Sequence, residues 1–176
     1  MSVFDDSQRY GRVTQALHWG MAVLLFWQLL TVAARVLIKD VPFEQFTWST
    51  HRPVGFLLFV LIMLRGAWAL ANLNRRPPSV HLAAKLGHIT LYLLMLVVPA
   101  LALLRQYGSG RAFEPFGIPV FPGFEGDRID WMIAPGSLLH SWLGWLLFTL
   151  IVGHVIMAFW HRRRPDQPDV LHRMWH

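Results

Sequence analysis

Four long apolar runs separated by short polar stretches set the pattern of this chain. The predicted spans cover about residues 13–38, 50–70, 82–104 and 135–160. Each holds about 20 mostly apolar residues, enough at about 1.5 Å per residue to cross roughly 30 Å of hydrocarbon. The pattern predicts an all-α fold, a four-helix integral membrane bundle forming one domain over residues 1–176. The polar start, MSVFDDSQRYGRV, leads into a run too long for a secretory h-region, so a permanent helix is expected there.

The links are unequal. The first (39–49) is short, and the second carries the breaker Pro77-Pro78. The third (105–134) is the longest and contains FEPFGIPVFPGFEGDRIDW. It reads as a folded cap or an amphipathic segment on one membrane face. Pro99 is expected to kink the third span. Trp48, Trp142 and Trp160, near span ends, read as interfacial anchors or as lipid-facing bulk. The last dozen residues read as the one disordered stretch.

Composition agrees with lipid as solvent. Only 15% of residues are charged and 55% are hydrophobic, whereas a soluble domain carries about 25% charged residues. With no cysteine, disulfides, iron–sulfur clusters and thiolate zinc sites are excluded. The net charge of +6 would suggest nucleic acid in a soluble protein. Here the charges lie between apolar runs, so they report topology and no nucleic-acid partner is expected. One side carries Arg9, Arg12, Arg75, Arg76, Lys85, Arg162, Arg163, Arg164 and Arg173; the other carries Lys39, Arg52, Arg105, Arg111 and Arg128. The positive-inside rule then puts both termini in the cytoplasm.

The chemistry lies in the histidines, since an ionisable side chain inside a span is costly and functional by default. His140 and His154 are fourteen residues apart in the fourth span. That is close to four turns and ~21 Å of rise, so both face the same side, one in each leaflet. A haem iron with two axial imidazoles needs a partner for each from another helix. His51 matches the outer level and His18 the inner, giving two haems stacked across the membrane. His88 is an alternative inner ligand, a propionate partner or a proton source for a quinone. Gly55, Gly144 and Gly153 read as places where a flat macrocycle meets a helix, with helix packing as the alternative. Arg65, fourteen residues after His51, reads as a partner of a propionate or a quinone carbonyl, with snorkelling as the alternative. His81 reads as an interfacial, solvated group, and His161, His172 and His176 read as cytoplasmic surface groups.

These residues sit in runs that resemble a known family. RYGRVTQALHW, HRPVGFLLFVLIMLRGAW, LAAKLGHITLYLLMLVVP, LLHSWLGWLLFTLIVGHVIMAFWH and VLHRM together resemble the bacterial cytochrome b-561 family. That family is related to the cytochrome b subunits of hydrogenases and formate dehydrogenases. The resemblance implies two b haems, the outer held by His51 and His140 and the inner by His18 and His154. It places His88 near the inner haem or quinone and the chain in the bacterial inner membrane. Some members look like superoxide oxidases, which pass electrons from superoxide outside to ubiquinone. An anionic donor would be drawn to a basic outer rim led by Arg52, although six acids on that side could pair with these cations. Two other functions stay open: a haem-carrying anchor subunit that docks a redox protein on the outer face, and a metal or proton transporter that uses the histidines without haem.

Overall fold

The computed structural model describes residues 2–164 and 169–175. It has four long helices, α1 (Arg12–Leu37), α2 (Pro42–Ala71), α3 (Leu82–Gly108) and α4 (Asp130–Arg163), each long and apolar enough to cross a membrane. Few of their apolar side chains are buried: Phe26, Leu64, Leu93, Ile156 and Phe159 all face outward. A helix that is apolar all round suits lipid contact on its outer side.

Helix ends reach beyond the apolar cores. The second helix begins at Pro42 instead of near residue 50, which shortens the expected 39–49 link. Proline fits the first helical turn, and Glu44 there complements the helix dipole. Asp40, at φ 64°, makes the tight reversal from α1. Arg35 Nη1 then clasps the buried Glu44 carboxylate across it at 2.8 Å. α4 starts at Asp130 and ends on Arg162 and Arg163, charges that suit its two ends. α3 runs unbroken through Pro99 to Gly108.

The long link is a folded cap, with no amphipathic helix among its described residues. It holds one 3-10 turn (Pro115–Gly117) and an isolated bridge between Phe113 and Phe121. Tyr107, Phe121 and Phe124 cluster beneath it, and Phe113 packs edge-on against Phe56 of α2. Gly123 makes the cap possible: it takes φ 82°, and a Cβ there would lie 2.9 Å from the Gly110 carbonyl oxygen.

At the opposite end the two chain termini meet. Buried Asp5 accepts bonds from the Gly11 amide, Thr14 Oγ1 and Arg76 Nε. The C-terminal segment docks against it: the Tyr10 amide donates to the Arg173 carbonyl, Trp19 Nε1 to the Met174 carbonyl, and Arg9 bonds His172. Residues 169–175 are therefore docked by these bonds, contrary to the expectation of a disordered tail, while His172 itself is exposed, as expected of a surface group. Residues 165–168 and His176 lie outside the described residues.

The packing leaves a division through the bundle. α1 packs on α2, α3 on α4, and α2 on α3, whereas the α4 backbone scarcely approaches α1 or α2. The core is a central apolar layer in which Met21, Leu58 and Ile62 adjoin Leu91, Leu94 and Leu147.

Candidate functional site

Five histidines collect at two levels on either side of that apolar layer. At the end with the aromatic cap, His51 of α2 faces His140 of α4, ring centres 6.3 Å apart with planes at 84°. At the end with the termini, His18 of α1 faces His154 of α4 at 6.3 Å and 63°. His88 of α3 stands 5.3 Å from His154. Leu147, 4% exposed, lies midway between His140 and His154 on α4. Both pairs reach across the division between α4 and the α1–α2 pair.

The cap-end imidazoles are braced from behind. His140 Nδ1 donates to the Val98 carbonyl oxygen at 2.9 Å. Thr31 gives its hydroxyl hydrogen to the Gln28 carbonyl, so its oxygen accepts from His51 Nδ1 at 2.8 Å. With the proton on Nδ1, each ring is left with a bare Nε2 lone pair. Gln28 Nε2 also bonds the His51 carbonyl, and Trp48 stacks on the His51 ring at 4.9 Å.

At the other level the bracing group is a cation. Arg65 Nη2 donates to His18 Nδ1 at 3.0 Å, and its guanidinium lies over Tyr92. A guanidinium only donates, so His18 here carries its proton on Nε2. Arg65 Nε is buried with no partner. A buried guanidinium with a spare donor calls for an anionic oxygen.

These residues fit a haem. An imidazole nitrogen binds a first-row metal at about 2 Å, which sets the centres of two rings in line across it roughly 6 Å apart. Both 6.3 Å pairs meet that distance, and the 5.3 Å approach of His88 falls short of it. Among the described residues no three His, Asp or Glu side chains converge as a metal cage. At these two levels the imidazoles face each other across the open division between α4 and the α1–α2 pair, which suits an ion whose remaining ligands come from a planar macrocycle. A Cβ added at Gly144, one turn from His140, would meet nothing within 4 Å, and the same holds at Gly153. Gly55 differs: its face is closed by Gln28 Nε2 at 3.2 Å, so it serves the α1–α2 contact. The spare Arg65 donor matches a propionate.

The family model described as prokaryotic cytochrome b561 matches residues 9–176. The chain belongs to that family. It is a membrane cytochrome b with haem as its cofactor, a multi-pass bacterial protein suited to electron transfer. Relatives agree along the length. The chain is 28% identical over 184 residues to cytochrome b561 homolog 2 of Escherichia coli (strain K12), covering 99% of this chain and 95% of that protein. It is 25% identical over 162 residues to cytochrome b561 homolog 1 of the same organism, covering 87% and 89%. Membership in a cytochrome family leaves the haem-free transporter without support.

Sequence reasoning found the histidines but not their braces. Thr31 and Gln28 were visible as polar residues within an apolar run. Trp48, read as an interfacial anchor or lipid-facing bulk, also stacks on His51 while staying 39% exposed, and Trp142 and Trp160 face outward. The Val98 carbonyl carries no side-chain signal at all. Arg52, beside His51, is exposed and makes no ion pair among the described residues.

Proposed function

We propose that this cytochrome holds two b haems, one between His51 and His140 and one between His18 and His154, and conducts electrons from an outer donor to a membrane quinone. The observation that carries the reading is that two imidazole pairs, each 6.3 Å apart, bridge the open division between α4 and the α1–α2 pair, one on each side of the apolar layer; the His81–His161 pair at the same separation lies instead between the closely packed α3 and α4. The same distance favours His18 over His88 as the partner of His154.

A haem held between each pair would supply a reversible one-electron iron couple. The chain's residues do the rest. Val98 and Thr31 hold His140 and His51 in the tautomer that offers Nε2. Arg65 releases His18 Nδ1 and neutralises a propionate with its spare Nε. The layer of Met21, Leu58, Leu91, Leu94 and Leu147 keeps water and protons from passing between the levels. Electrons cross the bilayer there while ions do not.

Direction follows from charge. The excess of Lys and Arg at the end with the termini puts that end in the cytoplasm of the bacterial inner membrane. Ubiquinone near the inner level takes two electrons and two protons, with exposed His88 as the proton-donating side chain. On the outer rim Arg52, Lys39, Arg105, Arg111 and Arg128 are all exposed. None of these cations forms an ion pair among the described residues, and neither do Asp40, Glu114, Glu125, Asp127 and Asp130 on the same rim, so the rim's charges balance overall. The local cation beside a candidate ligand is Arg52, next to His51, and a small anionic donor such as superoxide would meet it there. Two superoxide ions, one quinone and two protons give two dioxygen molecules and one quinol. On this reading the chain is a superoxide:quinone oxidoreductase.

Purified protein tests both halves. Two haems per chain by pyridine haemochrome are expected, with His51→Ala and His140→Ala each losing one. One haem in the wild type, or two in both variants, overturns the ligand assignment. Quinol formed from superoxide by the protein alone supports the donor; dependence on an added redox partner turns the reading to an anchor subunit.

A further inference from the structure

The motif H-x6-H occurs twice, as His81 to His88 in HLAAKLGH and His154 to His161 in HVIMAFWH. Seven residues are close to two helical turns, so each motif stacks its two imidazoles on one helix face. α3 and α4 pack closely and run antiparallel, which brings the motifs together in opposite order. His88 meets His154, and one step nearer the termini His81 meets His161. The His81 and His161 rings are 6.3 Å apart and 31° from parallel. The haem sites as proposed use neither residue.

We propose that His81 and His161 form a binding site for one divalent transition-metal ion of the zinc, copper or nickel class. Two further observations point to a ligand. His161 Nδ1 is buried and has no hydrogen-bond partner. His81 occupies the N-cap position of α3 yet its side chain makes no capping bond, so its ring is not committed to the helix end. Both imidazoles thus have coordinating capacity that the fold leaves unspent.

The surroundings choose the ligand class. Imidazole nitrogen suits zinc, copper and nickel, whereas calcium and magnesium require oxygen donors. Lys85, one turn into α3, and Arg162, next to His161, supply none. A haem suits this pair less, because α3 and α4 pack closely against each other whereas α4 and α1 stand apart. Water completes the coordination on the exposed His81 side. A bound ion ties the start of α3 to the end of α4, two turns from His154.

The test uses untagged, haem-loaded, full-length protein and zinc ion, competed against a chromogenic chelator. Wild type should bind one zinc at this site. His81→Ala and His161→Ala should each weaken it at least about tenfold, since even loss of an outer-shell partner costs 10- to 100-fold. His172→Ala and His176→Ala should leave it unchanged. His81→Asn keeps a favoured N-cap residue and removes the ligand, so it serves if an alanine variant fails to fold. An unchanged haem spectrum in each variant reports an intact bundle. Copper substituted for zinc should show nitrogen couplings from two imidazoles by paramagnetic resonance. No zinc bound to wild type, equal binding in the His81 and His161 variants, or loss confined to the His172 or His176 variants overturns the proposal.

Discussion

His140 donates its Nδ1 proton to the Val98 carbonyl oxygen, 2.9 Å away on the neighbouring helix. A backbone acceptor cannot be deleted by side-chain substitution, so this ring is fixed by the fold of α3 itself. Its opposite number, His51, depends on a hydroxyl. Thr31 has no measurable exposure and accepts the His51 Nδ1 proton. Thr31→Val keeps the shape and removes the acceptor, leaving a buried N–H unpaired at about 1–3 kcal/mol. The expected result is a 10- to 100-fold weaker hold on the cap-end haem, with the other haem unaffected. Thr31→Ser should restore it. Haem-transfer kinetics to an apo-acceptor, followed at the two α-bands, checks this.

Arg65 offers a prediction of sign. A reduced haem carries one more negative charge than an oxidised one, so a nearby cation favours reduction and raises the potential. Arg65→Met removes that cation without introducing a buried polar group. The potential of the haem nearer the termini should fall by on the order of 50–100 mV, the scale of a unit charge at about 8 Å in an effective dielectric near 20. A haem held at His140, which stands about 21 Å of helical rise from His154, should shift far less. A spectroelectrochemical titration resolves the two; equal shifts at both haems would contradict a local role for Arg65.

Two glycines of α4 should answer differently to enlargement. At Gly144 a Cβ meets nothing within 4 Å, whereas at Gly136 it would lie 2.5 Å from the Leu101 carbonyl oxygen and 2.7 Å from Arg105 Cβ. Gly136→Ala therefore forces α3 and α4 apart at a cost of roughly 1–3 kcal/mol and should lower the thermal midpoint of the bundle. Gly144→Leu fills open space. It should leave that midpoint of the haem-depleted protein unchanged and expel only the cap-end haem. Scanning fluorimetry of the two variants, with haem stoichiometry, separates a packing glycine from a cradle glycine.

Much of this was legible in the sequence because hydrophobic length and histidine spacing are local signals. The four spans follow from run length, and the common face of His140 and His154 follows from helical pitch. The start of α2 was missed by about two turns because its first residues are polar and aromatic; Pro42 and the Arg35–Glu44 clasp, not hydropathy, decide it. Tail docking was equally invisible, since it rests on backbone carbonyls of Arg173 and Met174 meeting groups some 155 residues or more earlier. Gly55 and Gly144 both stand four residues after a histidine. Only the structure tells them apart, by showing Gln28 against one and open space beside the other.

The donor can be tested through charge alone. Arg52 adjoins His51, is exposed, and forms no ion pair among the described residues, while Glu44 is already held by Arg35. If the donor is a small anion, its encounter rate should fall as salt rises, because rim cations are screened beyond a Debye length of about 8–10 Å at 0.10–0.15 M. Arg52→Gln should lower the second-order rate severalfold at low ionic strength and flatten the salt dependence. Arg52→Glu should lower it further, and Lys39→Gln less, because Lys39 lies on the preceding turn instead of beside the imidazole. Haem content should not change in any of the three. Pulse-radiolytic reduction by superoxide, compared with reduction by a neutral one-electron donor on the same variants, makes the measurement. Equal slowing of both donors would place Arg52 in the electronic surroundings of the haem instead of in capture of the anion. A wild-type rate indifferent to salt would point to an uncharged donor or to a docked protein at this end of the bundle.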